Sequence, residues 1–105
     1  MSHEVAQTIF AQLGGNRFAM ITGAKNFMLG EKSLTFRLPS NPKAVTHVRI
    51  DLGGDDLYTV QFFRIGRKAT AYQVLKSLPG IYCDQLLDVF EANTGLYATL
   101  TARRA

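Results

Sequence analysis

Three successive segments, 33–38, 47–52 and 57–65, alternate apolar and polar residues with a period of two. Leu34, Phe36 and Leu38 alternate with Ser33, Thr35 and Arg37, and Val48, Ile50 and Leu52 with His47, Arg49 and Asp51. Tyr58, Val60 and Phe62 repeat the pattern. Successive side chains of a strand point to opposite faces, so each segment predicts a strand with one apolar and one polar side. Pro39-Ser40-Asn41-Pro42, Gly53-Gly54-Asp55-Asp56 and Gly66-Arg67-Lys68 supply turn chemistry after them. Connections this short exclude parallel neighbours, which need crossovers of a dozen residues or more, and so predict an antiparallel meander.

The remaining segments supply helices and a further strand to that sheet. Val5, Ala6, Ile9, Phe10 and Leu13 recur at three- and four-residue steps, predicting a helix over 3–13 with Ser2 as N-cap and Gly14-Gly15 as its stop. Arg17 to Thr22 is apolar-rich and ends at Gly23, predicting the first strand, and 23–32 reads as a loop. In that loop, Phe27 and Met28 are expected to be buried as an anchor. Residues 69–78 fit either a fifth strand or a short helix before Pro79-Gly80. Tyr82, Leu86, Val89 and Phe90 form a stripe that predicts a helix over 81–94, with Asp84, Asp88 and Glu91 off the stripe, and the tail from Leu96 alternates through Tyr97, Thr99 and Thr101. The expected fold is α+β in the order α-β-β-β-β-(β)-α. A four- to five-stranded antiparallel meander carries an N-terminal and a C-terminal helix on one face, in a single domain spanning 1–105.

With 105 residues and 47% hydrophobic content the chain can fill one core and has no room for a second domain. No apolar run approaches the roughly 18 to 20 residues that span a bilayer, and no basic cluster precedes an apolar run at the N-terminus, so neither a membrane partner nor a secretory signal is expected. One cysteine, Cys83, forbids an intrachain disulfide and points to a reducing compartment, the cytoplasm. The net charge of +4 is concentrated in 14–68, where Arg17, Lys25, Lys32, Arg37, Lys43, Arg49, Arg64, Arg67 and Lys68 face only Glu31, Asp51, Asp55 and Asp56.

By parity, the open sheet face would carry Arg17, Ala19 and Ile21; Ser33, Thr35 and Arg37; His47, Arg49 and Asp51; and Leu57, Thr59, Gln61, Phe63 and Ile65. Arginines neutralise phosphates and an exposed aromatic stacks a base, so this face is a candidate for binding DNA or RNA. Arg17, Arg37, Arg49 and Phe63 would form its centre, with Lys25, Arg64, Arg67 and Lys68 as flanking phosphate contacts. The competing account is an ordinary solvated face on which Ile21, Phe63 and Ile65 lie under a loop or join a homodimer. A third possibility is a protein-interaction module that inhibits a host defence complex by mimicking or masking a nucleic-acid site.

Little points to catalysis. Gly53-Gly54-Asp55-Asp56 invites comparison with metal-binding turns of polymerases, but Asp51 is the only further acid nearby, which leaves a hairpin turn as the expectation. His3 and His47 are the only imidazoles, so no metal-ligand spacing exists and no cofactor is expected. Gly14-Gly15-Asn16-Arg17 follows a helix instead of opening one, the wrong polarity for a phosphate loop. Cys83 is expected to be an inert core thiol beside the second helix. The expectation is a binding module and not an enzyme.

Several runs carry a resemblance: Gln12 to Phe18 (QLGGNRF), Thr22 to Phe27 (TGAKNF), Leu34 to Pro39 (LTFRLP), Val48 to Ile50, Tyr58 to Val60, Ile81 to Asp84 and Thr94 to Leu96. Together they resemble a family of small uncharacterised proteins of bacteriophages and bacterial mobile elements. That resemblance covers most of the chain and implies no catalytic or binding residue. The element order is also similar to one repeat of the TATA-box-binding fold, whose curved sheet meets DNA with its open face. A single copy here would need to dimerise to make such a saddle.

Overall fold

A computed structural model describes residues 3–66 and 72–96. Its elements, in chain order, are α1 (Glu4–Leu13), α2 (Gly15–Thr22), β1 (Lys25–Leu29), β2 (Ser33–Arg37), β3 (His47–Leu52), β4 (Tyr58–Ile65), β5 (Tyr72–Ile81), a 3-10 turn (Cys83–Gln85) and α3 (Leu86–Thr94). The strands form one sheet in the order β1-β2-β3-β4-β5, each antiparallel to its neighbour. This is the expected meander with a helical layer on one face.

The alternating segments become β2, β3 and β4, and their inward residues Leu34, Phe36, Val48, Ile50, Tyr58, Val60 and Phe62 are all buried. Helices cover that face. Phe18 of α2 meets Phe36 of β2 edge-on at 5.6 Å and Phe90 of α3 at 4.9 Å, so one ring ties two helices to the sheet. Phe10 of α1 meets Phe27 of β1 at 5.0 Å.

Five expectations are corrected. Arg17 to Thr22 is the helix α2 and not a strand. Gly14, with φ 129°, ends α1, and the chain turns straight into a second helix whose buried residues Phe18 and Thr22 are four apart. The first strand is instead β1, inside the predicted loop. Its alternation is hidden by a bulge between Lys25 and Met28, where Asn26 adopts φ 58°, so Phe27 packs against the core as an anchor while Met28, expected to be buried with it, is exposed. Cys83 is exposed in the 3-10 turn rather than buried. Glu91, expected on the outer side of α3, is buried.

The ambiguous segment resolves as β5 from Tyr72 onward. It holds Pro79 and Gly80, as an edge strand can, because a proline there leaves no ladder bond unmade. The helix expected over 81–94 is α3 preceded by the 3-10 turn, with Ile81 still in β5. Ser2, Arg67, Lys68 and the tail beyond Leu96 lie outside the described residues.

The loop 38–46 between β2 and β3 is held at both shoulders by helix ends. α2 and α3 each finish in a buried threonine, Thr22 or Thr94, whose hydroxyl donates to the carbonyl four residues back and accepts an N–H two residues on. Each is followed by a glycine at φ 80°, and a Cβ on Gly23 or Gly95 would stand 3.0 Å from Pro39 or 2.9 Å from Pro42. Asn41 brackets the loop from within, its Nδ2 donating to Pro39 O and Val45 O and its Oδ1 accepting from Val45 N.

Candidate functional site

Pairing register aligns the outward residues of all five strands into rows. Lys25 lies opposite Arg37, Arg37 opposite His47, His47 opposite Phe63, and Phe63 opposite Val74. The row therefore crosses the whole sheet, roughly 19 Å at about 4.8 Å per strand. Beside it runs a second row, Met28, Thr35, Arg49, Gln61 and Ser77, and at the β4–β5 end Ile65 faces Tyr72. Among the described residues no helix packs on this side.

The main row is graded in chemistry. Its β1–β2 end carries the exposed cations Lys25 and Arg37. At its β4–β5 end Phe63 and Tyr72 meet edge-on, 5.6 Å apart at 87°, beside Val74. Tyr72 and Val74 remain 68% and 47% exposed, so they present unused apolar surface instead of completing a core.

His47 sits between the two ends, half-buried, with Nδ1 2.8 Å from Thr46 Oγ1. Burial first, and then the Arg37 charge, push its pKa below the ordinary histidine value. A neutral imidazole at pH 7 follows. Thr46 also stitches this end of the sheet together, its hydroxyl accepting from Ile65 N and donating to Phe63 O.

Arg49 is already engaged. Its Nε donates to both oxygens of Asp51, at 3.1 and 2.9 Å, and this hydrogen bond raises the guanidinium pKa against the smaller lowering effect of burial. Both side chains are substantially exposed, at 46% and 35%, so the pair is screened and adds little to stability. Asp51 nonetheless competes with any phosphate for Arg49.

The expected site residues divide accordingly. Arg37, Arg49 and Phe63 lie on the open face, and Lys25 joins them through β1. Arg17 does not, because it belongs to α2 in the helical layer, and Ala19 and Ile21 leave the face with it. Arg64 has the opposite parity to Phe63 and turns toward the loop 38–46, where its Nε donates to Ala44 O. Arg67 and Lys68 fall outside the described residues. Tyr72 and Val74 were missed, although their spacing of two was the available signal. Between Phe62 and Phe63 the β4–β5 register shifts, and this irregularity leaves Leu75 as an extra residue of β5 and obscures the alternation.

Among the described residues no three His, Cys, Asp or Glu side chains group to hold a metal ion. In the Gly53–Asp56 turn, Asp55 Oδ1 accepts Leu57 N–H. Among the described residues no helix is long and apolar enough to cross a membrane.

No protein-family model, curated protein or solved structure matches the chain. Function is therefore read from the chemistry of the face itself.

Proposed function

We propose that the chain is a non-enzymatic module that binds single-stranded DNA or RNA across the open face of its sheet. One observation carries the proposal: register sets Lys25 and Arg37 in the same transverse row as Phe63, with Tyr72 beside it. Phosphates neutralise the cationic end while unpaired bases stack on the aromatic end, a combination that accepts many sequences because every base has a π-face. A single strand suits this face better than a duplex, whose bases are already stacked on one another.

Fluorescence anisotropy with labelled single- and double-stranded oligonucleotides at two salt concentrations tests the proposal. Binding should favour the single strand and weaken with salt. Phe63→Ala and Tyr72→Ala should each lower affinity by about tenfold, the loss of one stacked base, and Arg37→Glu should lower it for every sequence. Asp51→Asn, which releases Arg49, should tighten binding. Flat titrations with all oligonucleotides would refute the proposal.

A second reading, self-association through β5, is favoured by the exposure of Tyr72 and Val74 on a strand that among the described residues is the sheet edge, where its outer backbone groups offer a ladder to a second copy. Sedimentation velocity separates the two: a dimer that Val74→Lys dissociates, with no affinity for oligonucleotides, favours the second.

A further inference from the structure

We infer that the molecule has a second, independent site: a phosphate pocket on the helix side of the sheet, where Lys43, Arg64 and Lys76 converge. They come from the loop 38–46, β4 and β5, and with Asn93 of α3 they line a cavity of about 200 Å³ whose apolar lining is Val45, Phe62 and Leu75. None of the described lining residues is a carboxylate, and Glu91, buried on α3, does not line the cavity. Lys43, Arg64 and Lys76 are all exposed, and with no carboxylate among the described lining residues their charges sum at the mouth of the cavity, so the arrangement favours an anionic guest.

Geometry narrows the class of anion. The cavity is smaller than the roughly 300–1,000 Å³ of pockets that enclose a whole ligand, so it receives a group projecting from a molecule. Arg64 spends its Nε on Ala44 O at 3.2 Å, which anchors the guanidinium and leaves both terminal nitrogens to donate in parallel. Two lysines opposite one arginine supply charge for a dianion and donors for three oxygens, more than a carboxylate presents. A phosphate monoester satisfies both counts. The loop that carries Lys43 is placed in advance, braced by Gly23 against Pro39, by Gly95 against Pro42 and by the Asn41 bracket. Phosphate binding therefore incurs little ordering cost beyond the two lysine side chains.

The same group reaches the pocket on a free phosphorylated small molecule or on the end of a nucleic-acid strand. A neighbouring cavity of about 390 Å³ at the sheet end is lined by both Arg64 and Arg37, so a cationic path leads from the open face around that end to the pocket.

The test is an amide-resolved NMR titration with inorganic phosphate against chloride at matched ionic strength. Shifts should cluster at residues 43–45, 62–64, 75–76 and 93. Arg64→Gln or Lys76→Gln should weaken binding by about tenfold or more, while Lys32→Gln, at an exposed lysine in neither site, leaves it within about twofold. Oligonucleotides with and without a terminal phosphate identify the source. A gain from the phosphate that Lys76→Gln abolishes assigns a strand end, whereas inorganic phosphate binding without that gain assigns a small molecule, and either supports the pocket. Shifts that are absent, or spread evenly over the surface cations including Lys32, overturn it. So do Arg64→Gln and Lys76→Gln variants that lower the melting temperature yet leave the phosphate shifts unchanged, since the cations would then serve only the carboxyl end of α3. Binding of unphosphorylated strands reports on the sheet face separately, so either site can fail without the other.

Discussion

At the scale of single residues, His47 is the group whose behaviour the fold changes most usefully. Its pKa is lowered by burial and by Arg37, so the unfolded chain takes up the proton more readily than the folded one. Stability is therefore unaffected by His47 above about pH 6.5 and falls as pH drops below it, until the folded histidine also protonates. Arg37→Gln removes the smaller of the two causes. It should move the His47 titration upward toward its ordinary value, leave a residual lowering from burial, and narrow the acid-sensitive window, which an NMR titration of the ring protons measures directly. Bound polyanion should move it further in the same direction, because phosphate favours the imidazolium. The positions of Arg37, Arg49 and Phe63 on the outer face follow from parity alone. That Arg49 is held by Asp51 also lies within reach of sequence, since residues two apart on a strand share a face.

At the scale of elements, the paired Thr-Gly helix ends matter because they set the loop 38–46. Gly95 has φ 80°, and its missing Cβ would press on Pro42 at 2.9 Å, whereas Gly15 has φ 64° with open space around it. Gly15→Ala should cost only left-handed strain, about 1–2 kcal/mol. Gly95→Ala should cost more by denaturant titration, because contact adds to strain, and it should displace Lys43 as well. Equal costs would show that the Pro42 contact is soft. Elements were legible where their period was unbroken and illegible where it was not. β2, β3, β4 and α1 follow their patterns, while β1 and the start of β5 are masked by register shifts. The segment 17–22 fits strand and helix alike, because Met20 is apolar yet 78% exposed and only the burial of Phe18 and Thr22 reveals which period is used.

At the scale of the whole molecule, five of the described cations stand on two sides of the sheet: Lys25 and Arg37 on the open face, and Lys43, Arg64 and Lys76 around the pocket. Unphosphorylated single strands that engage only the open face should neutralise two to three phosphates. The log of affinity should then fall against log salt with a slope of roughly −1.4 to −2.1. One chain should suffice per binding site, in contrast to the two-repeat saddle of the TATA-box-binding fold, and sedimentation of the complex reads the stoichiometry. A much steeper slope would mean that the pocket cations share the same strand. The sequence by itself determined the antiparallel meander, the inward core of its three regular strands and the identity of most outward residues, because a period of two is a property of local backbone geometry. Tertiary structure alone decided that Lys25, Arg37, His47, Phe63 and Val74 stand in one row, and that Lys43, Arg64 and Lys76 meet around one cavity. Both depend on hydrogen-bond register, bulges and helix packing between segments far apart in the chain, and no local pattern encodes them.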